Sequence, residues 1–256
     1  MKFQELTSPA LSRIDRSGTL VIIPISAVEQ HGPHMPTGTD NIICTAIAES
    51  LEKNRPEQVL LTPPLWLGAS AHHLRFGATL TADLDTYIHT LCEVGRSLLG
   101  DGFARLLFLN GHGGNVDPLR VALRQLQLEY PESLLVGGSY WSVADVLLRE
   151  TLEGDHKSVG HACEFETSMV LHLRPELVDE EQVANAGQLI TDQIDGLFVS
   201  RDMWQRTQAG CTGRPDLASA EKGRRLFDGI VELLGSTVER LLVEPLGTEH
   251  AEFLRV

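Results

Sequence analysis

The sequence lacks the features that mark several classes of protein. Its longest apolar run, near residues 20–25, is far shorter than the ~20 residues that a membrane-spanning helix needs. Its first residues lack the charged-then-apolar layout of a signal peptide. The four cysteines lie far apart, so there is no CxxC metal or redox motif and no disulfide-dense framework. We therefore expect a reduced, cytoplasmic enzyme that does not bind membranes.

Positive charge is also scarce. Lys and Arg total 21 against 35 for Asp and Glu, which gives a formal net charge of −14 at pH 7. Such a surface repels phosphate backbones, so we expect no nucleic-acid partner. The chain of 256 residues is 42% hydrophobic and 22% charged. This composition excludes wholesale disorder and is sufficient for a sizeable core.

Apolar strands that alternate with amphipathic helices predict an α/β fold. Strands are predicted over residues 20–26, 58–62, 104–109 and 133–137, and helices over 41–53, 85–99, 116–129, 161–173 and 218–242. Because these strands are apolar on both faces, they indicate a mainly parallel sheet covered by helices on both sides, a three-layer arrangement. No linker rich in Pro, Gly or Ser interrupts the chain, so we expect one domain over residues 1–256.

Metal-ligating residue types follow the first predicted strand. Glu29 and His31 are two residues apart in extended chain, a spacing that points both side chains to one side. Asp40 lies where the next helix begins, so it is either a helix N-cap, a ligand, or both. Imidazole and carboxylate groups suit ions of the zinc or manganese kind. In open parallel sheets the active site lies at the carboxyl ends of the strands, and we predict a metal site there.

A second candidate loop, residues 110–115, follows the third strand and contains His112. Its alternatives are a structural turn or a phosphate site formed by loop amides at the next helix. The loop is not GxGxxG and has no Lys-Ser/Thr of a P-loop, which favours a metal ligand. A nucleotide- or phosphate-binding module remains the rival function of a different class.

Two further clusters contain histidine. Residues three apart share a helix face, so His161 and Glu164 are expected to face one site, whereas Glu166 is rotated away from Glu164. In the loop after the second strand, either one of His72 and His73 faces the site, with spacing not deciding which, or both are surface residues. The chain has no GxSxG or HExxH motif, and a two-carboxylate glycosidase would not explain the histidines.

Together these motifs resemble the creatininase (creatinine amidohydrolase) family. The resemblance covers about residues 20–242 in matching order. It rests on Glu29-Gln30-His31-Gly32-Pro33-His34-x-Pro36 with Asp40, on residues 110–115, on His161-Ala162-x-Glu164-x-Glu166-Thr167-Ser168 and on Gly213-x-Pro215 with Ala218-Ser219-x-Glu221-x-Gly223. It implies a flavodoxin-like α/β fold, a homohexamer and two divalent ions per chain (Zn, Mn or Fe). A carboxylate and a water or hydroxide would bridge these ions.

The resemblance also implies roles for individual residues. Glu29 and His112 would hold one metal, His31 the other, and Asp40 would bridge both. True creatininases supply a further Glu two residues after the loop histidine, where this chain has Gly114, and Glu164 is expected to take its place.

The remaining implied roles concern proton transfer and the substrate. His161 is the candidate general acid–base that protonates the leaving nitrogen. Ser70, His73 and Gly113 are expected to contact the substrate.

Two departures from true creatininases argue against creatinine as the substrate. Residues 153–160 contain no tryptophan, where those enzymes carry the one that covers the small ring. Phe76-Gly77-Ala78-Thr79 replaces the usual Phe-Pro-Gly-Thr. Trp141 is either a lid from another segment or part of loop packing. We therefore predict a metal-dependent amidohydrolase that cleaves a non-peptide or cyclic amide of a small molecule. The alternatives within the family are a formamide hydrolase and a cofactor-maturation peptidase.

Overall fold

A parallel sheet forms the centre of the molecule. The computed structural model describes residues 1–155, 157–185, 194 and 197–247. Within them the strands are β1 (Leu20–Ile25), β2 (Val59–Leu61), β3 (Arg105–Asn110) and β4 (Leu134–Ser139). They are all parallel, in the spatial order β2-β1-β3-β4. The predicted parallel α/β fold is confirmed, and each strand lies within two residues of its predicted bounds.

Helices cover both faces of this sheet. The described helices are α1 (Ser8–Leu11), α2 (Thr39–Asn54), α3 (Leu84–Gly100), α4 (Val116–Glu129), α5 (Asp145–Thr151), α6 (Glu164–Leu173), α7 (Met203–Arg206) and α8 (Ala220–Val243). The long loop after β2 contains a 3₁₀-helix, Ala71–Phe76. Among the described residues, no helix has the length and apolar character needed to cross a bilayer.

Alternate side chains of β1 enter two different hydrophobic cores. Leu20 and Ile22 pack with side chains of α2, α6 and α8, whereas Val21 and Ile23 pack with those of α3 and α4. Successive residues of a strand point to opposite faces, so a strand between two helical layers must be apolar throughout. This is the physical reason for the unbroken apolar run that the sequence shows at this strand.

Helices α6 and α8 pack in close contact at Gly223. A Cβ atom on Gly223 would lie 1.9 Å from the backbone oxygen of Ser168, so no side chain fits there. The neighbouring residue, Lys222, is thereby brought to the first turn of α6. This contact decides the environment of Glu164, described below.

Helix α6 begins at Glu164, three residues later than predicted. Ala162 has a φ of +50°, in the left-handed region, and Cys163 is extended with φ −93° and ψ −177°. His161 therefore precedes the helix instead of belonging to it. The prediction was wrong because a left-handed conformation at a non-glycine residue has no clear sequence signal.

Candidate metal centre

Three loops meet at the carboxyl ends of the strands. Ile25 at the end of β1 pairs with Asn110 at the end of β3, so the loops that follow these strands are neighbours. Asn115 joins them to the loop after β2. Its Oδ1 accepts a hydrogen bond from the Ala69 backbone N–H (2.9 Å), and its Nδ2 donates one to the Ser26 carbonyl (3.1 Å). This network holds the predicted site residues in fixed positions.

Glu29 lies at the centre of the cluster. Its side chain is buried, and its Oε1 lies 3.2 Å from His112 Nδ1, 3.3 Å from His73 Nε2 and 3.5 Å from His161 Nδ1. Although burial opposes it, the charge of His112 holds the pKa of Glu29 below its ordinary value. The structure thus brings together Glu29, His112 and His161, which were predicted from separate segments.

Asp40 lies between two histidines. Its Oδ1 is 3.1 Å from His31 Nε2, and its Oδ2 is 3.0 Å from His112 Nδ1. The residue before α2 is Gly38, and Asp40 lies in the first turn of α2. The N-cap alternative is therefore wrong, while the helix dipole still favours a carboxylate at this position. Each carboxylate oxygen faces a different imidazole, an arrangement suited to a bridging ligand.

The three histidines that face these carboxylates are oriented in the same way. One ring nitrogen of each lies against a backbone carbonyl: His31 Nδ1 against Glu29 (3.1 Å), His112 Nε2 against Ala69 (3.3 Å) and His161 Nε2 against Gln30 (2.7 Å). Because a carbonyl oxygen only accepts, that nitrogen carries the hydrogen. The other nitrogen of each ring faces the carboxylates, and it offers its lone pair to a cation once it carries no proton. Metal-ligating histidines are commonly held by such a hydrogen bond.

His73 has the opposite orientation. The Gln30 side-chain amide donates to His73 Nδ1 (2.8 Å) and to the Gly210 carbonyl (2.9 Å), so the hydrogen of His73 lies on Nε2 and points to Glu29. His73 therefore donates a hydrogen bond to a carboxylate instead of offering it a lone pair. His72 is half-buried and stacks on His112 with ring centroids 5.7 Å apart. Both members of the pair line the cavity, and the buried one contacts Glu29.

Glu166 is the third carboxylate of the cluster. Its Oε1 lies 3.9 Å from His31 Nε2, and ligand atoms of Glu166, His31 and Asp40 all lie within 4.8 Å of one another. Burial raises the pKa of Glu166 to about 7. Glu166 is rotated away from Glu164, as predicted, but it is Glu166 and not Glu164 that faces the cluster.

Glu164 does not join the cluster, which corrects the prediction of a ligand at this position. Its carboxylate accepts hydrogen bonds from the backbone N–H groups of Glu153 (2.9 Å) and Gly154 (2.9 Å). It also pairs with Lys222 Nζ at 2.6 Å. The prediction placed His161 and Glu164 on one helix face, but the two share no helix. The Lys222 contact involves residues 58 positions apart, and no local pattern reveals it.

The cluster has the chemistry of a site for divalent cations. Three overlapping groups have the required proximity: Glu29 with His31 and His161, Glu29 with His72 and His112, and His31 with Asp40 and Glu166. Glu29 Oε2, His31 Nε2 and Asp40 Oδ2 are buried and have no hydrogen-bond partner among the described residues. Burial would lower the pKa of His31, but Asp40 raises it to about 9. A cation is therefore favoured between His31 and Asp40, and imidazole with carboxylate is a suitable donor set.

A cavity of about 1000 Å³ opens onto this centre. Gly113 and Trp141 line it, as do Glu29, His112 and Glu166. Trp141 also packs edge-on against Tyr140, with ring centroids 4.9 Å apart. Ser70, expected to contact the substrate, has no exposed surface and places its hydroxyl 3.2 Å from His112 Nε2. Ser70 therefore positions His112, which corrects its predicted role.

Gly114, two residues after His112, has no room for a side chain. A Cβ atom there would lie 2.3 Å from the Ala69 carbonyl oxygen and 2.5 Å from His112 Nε2. The loop of this chain is thus closed at the position where true creatininases, by the resemblance described above, carry a glutamate.

Comparison with known proteins agrees with this geometry. The family model described as creatinine amidohydrolase matches residues 4–238. The chain belongs to the creatininase family. As a member, it is a metal-dependent amidohydrolase in its general class, and the predicted resemblance is confirmed.

Three similar proteins illustrate the range of this family. A mycofactocin precursor peptide peptidase of Mycobacterium ulcerans is 30% identical over 95% of this chain and 94% of its own. A creatinine amidohydrolase of Pseudomonas putida is 27% identical over 89% of this chain and 91% of its own. A solved structure described as "Creatininase Mn" has a TM-score of 0.79 and 25% identity over 95% of this chain and 99% of its own. These names span peptide and non-peptide substrates within one fold.

Proposed function

We propose that the protein hydrolyses an amide C–N bond with two divalent ions bound in the cluster. The observation that carries this proposal is Asp40, whose two oxygens face two different histidines at 3.1 and 3.0 Å. A carboxylate so placed can bridge two ions. The structural relative described with Mn supports manganese as one suitable ion, and imidazole with carboxylate suits zinc equally.

The ligands divide into two sets around Asp40. Glu29 and His112, 3.2 Å apart, would hold one ion, as the family resemblance implies. His31 and Glu166 would hold the other, with Glu166 in the role first given to Glu164. Three carboxylates then balance most of the charge of two divalent cations. The orphaned oxygen and nitrogen atoms of the cluster support this division.

When bound, the two ions supply an activated water and polarise the amide carbonyl. The chain itself supplies the proton transfer. Burial holds the pKa of His161 well below its ordinary value, so the ring is neutral near pH 7. Its Nδ1 lone pair is available to take a proton and pass it to the leaving nitrogen. Its Nε2–H is fixed on the Gln30 carbonyl at 2.7 Å, which keeps this nitrogen oriented.

A variant of His161 tests this role, because its Nδ1 also lies within reach of Glu29 and His31 as a third ligand. We expect His161→Gln to lose hydrolysis by about 10²–10⁴-fold while both ions stay bound, as for a general acid–base. The measurement is metal content by mass spectrometry beside steady-state kinetics. Loss of one ion in this variant would assign His161 to the ligands instead.

The size of the cavity favours substrates larger than one small ring. Its volume of about 1000 Å³ exceeds what creatinine fills, and a peptide peptidase is among the similar proteins. We therefore extend the predicted small-molecule amides to short peptides. The test is a panel of creatinine, formamides and short peptides given to the metal-loaded protein. A protein that retains two ions and cleaves none of them would be a non-catalytic member of the family.

We also propose a homohexamer, as the family resemblance implies. Light scattering at working concentration checks it directly. A monomer at that concentration would contradict the proposal without affecting the assignment of the metal ligands.

A further inference from the structure

One wall of the cavity carries a cation that the mechanism above does not use. Residues 197–201, Met203 and Arg206 line the cavity together with Glu29, His112 and Glu166 of the metal centre. The guanidinium group of Arg206 is half-buried, and burial lowers its pKa, although an arginine stays charged in proteins. The cavity that opens onto the metal centre therefore contains a partly desolvated positive charge.

Arg206 has no carboxylate within ion-pair distance among the described residues. Its one polar contact there is Nη1 to Met203 Sδ, 3.5 Å. Other arginines in the same region are paired, for example Arg75 with Asp202 (3.3 Å) and Arg214 with Asp216 (2.6 Å). In a chain with an excess of acidic residues, a half-buried arginine without such a partner is notable, because burying an unpaired charge is costly.

The local structure holds Arg206 in position. Helix α7 is short, but Asp202 and Gln205 close its start with reciprocal side-chain hydrogen bonds of 2.9 and 3.0 Å. Met203 is buried beneath it, and Trp204 contacts Phe76 with ring centroids 5.1 Å apart. These contacts fix the backbone of α7 before a ligand arrives, which reduces the conformational entropy lost when Arg206 binds it.

Acidic groups at the cavity do not satisfy Arg206. Asp117 lines the cavity too, but it is exposed and lies 3.4 Å from Arg120. Glu29, Asp40 and Glu166 face the histidines of the metal centre. Phe198 and Leu84, exposed by 87% and 59%, are apolar cavity residues suited to an apolar part of a ligand.

We propose that Arg206 binds a carboxylate group of the substrate, so that the enzyme prefers amides that carry a free carboxylate beside the scissile bond. The planar guanidinium donates two parallel N–H bonds to a carboxylate, which gives both affinity and orientation. Arg206 would thus fix one end of the substrate while the amide lies at the metal centre. This inference rests on the proposed hydrolase function.

A binding experiment tests the inference without requiring hydrolysis. Calorimetry with the metal-loaded protein compares 4-phenylbutanoate with the neutral 4-phenylbutan-1-ol, neither of which contains an amide bond. We expect the acid to bind at least about 10-fold more tightly than the alcohol, since hydrogen bonds to charged groups have this strength. Arg206→Gln should abolish the difference and leave binding of the alcohol unchanged. A carboxylate held by the metals alone would keep its advantage in this variant.

Two further variants control the experiment. Arg206→Lys keeps the positive charge but not the two parallel N–H donors, so it should retain part of the preference for the acid. It is the substitute if Arg206→Gln does not fold. Arg124→Gln removes the same charge from an exposed residue outside the cavity lining and should behave as the wild type. A wild type that does not distinguish the two ligands, or an Arg206→Gln variant that still does, would overturn the inference.

A kinetic experiment separates this inference from the proposed function. N-benzoylglycyl-phenylalanine and its C-terminal amide differ only in the terminal charge. Arg206→Gln should raise KM for the acid by about 10-fold or more with a smaller change in kcat, and leave the amide unaffected. Binding that depends on Arg206 without cleavage of either peptide would retain the inference and refute hydrolysis of such peptides. Cleavage of both peptides at rates independent of Arg206 would support hydrolysis and refute the role of Arg206.

Discussion

Glu164 and Glu166 lie two residues apart in the first turn of α6, and both are buried, yet their environments are opposite. Glu164 accepts hydrogen bonds from two backbone N–H groups, and its Oε1 forms an ion pair with Lys222 Nζ at 2.6 Å. Glu166 faces His31 at 3.9 Å and has the carboxylates of Asp40 and Glu29 nearby, which repel its charge. Glu164 is neutralised by hydrogen bonds and an ion pair within the chain, so it stabilises the fold. Glu166 faces imidazole and other carboxylates, so its negative charge remains available for a cation.

Replacement of Asp40 should have the largest effect on metal binding, because it removes the carboxylate between the two ligand sets. We expect Asp40→Ala to lose both ions and essentially all hydrolysis, since no other described carboxylate lies within ion-pair distance of both His31 and His112. Metal content by mass spectrometry checks it, and circular dichroism confirms that the variant is folded. Full metal occupancy in Asp40→Ala would refute the bridging role.

Glu166→Gln should affect one ion only. The amide keeps the shape of the side chain but removes the negative charge facing His31. We expect the affinity for that ion to fall by more than the ~10–100-fold that follows loss of a partner of a metal ligand. The ion at Glu29 and His112 should be nearly unaffected. Chelator competition resolves the two sites, and equal weakening of both would argue against separate ligand sets.

Glu164→Gln should instead affect stability and leave both ions bound. It leaves Lys222 without its buried partner, so the free energy of unfolding should fall by about 1.5–3 kcal/mol. Urea unfolding monitored by circular dichroism measures this change. If this variant loses an ion while Glu166→Gln keeps both, the roles of the two residues are reversed.

The pH dependence of metal binding sharpens the same comparison. The pKa of His31 is about 9 and that of Glu166 about 7, so a metal displaces a proton from His31 below pH 9 and also one from Glu166 below pH 7. Affinity for that ion should therefore rise with pH, about tenfold per pH unit for each proton displaced, and level off above pH 9. Chelator competition between pH 6 and 9 measures it. The change in the slope of metal affinity against pH near pH 7 should disappear in Glu166→Gln. If it persists in this variant, another group than Glu166 releases that proton.

The smallest effect is expected for Glu153→Gln. Glu153 pairs with the same Lys222 at 2.8 Å, but its side chain is 64% exposed. Exposed ion pairs contribute between 0 and about 1 kcal/mol, so the unfolding free energy should change by less than 1 kcal/mol. This variant is the matched control for Glu164→Gln. A loss as large as in that variant would show that the charge of Lys222, and not the burial of Glu164, decides the effect.

The site residues that directly follow strands were the ones that the sequence pattern could predict. Glu29, His31 and His112 follow strands whose apolar runs fix where they end, and parallel pairing brings those ends together. The parallel sheet, the helical layers and the meeting of these loops at the strand ends follow from that pattern, whereas the strand order is seen only in the structure. An error of one or two residues in the bounds of a strand does not change which loop follows it, so this prediction was insensitive to such errors.

The part of the site on α6 could not be predicted in the same way. A helical face depends on where the helix starts, and three residues of error turn a ligand away from the site. Ala162 adopts a left-handed conformation that favours glycine or asparagine, so composition gave no sign of the helix boundary. The partner of Glu164, Lys222, comes from α8 and is set by the close contact at Gly223. Such contacts between distant segments exist only in the folded chain.

The closed space at Gly114 has an evolutionary consequence. A glutamate introduced there would meet the Ala69 backbone before its carboxylate could reach a metal, so the loop after β2 would have to move first. That move breaks the hydrogen bond from Ala69 to Asn115, which joins the loops of the site. A single Gly114→Glu substitution is therefore expected to disturb these loops instead of adding a metal ligand. An exchange of the proposed α6 carboxylate for one from this loop would therefore need several coordinated changes.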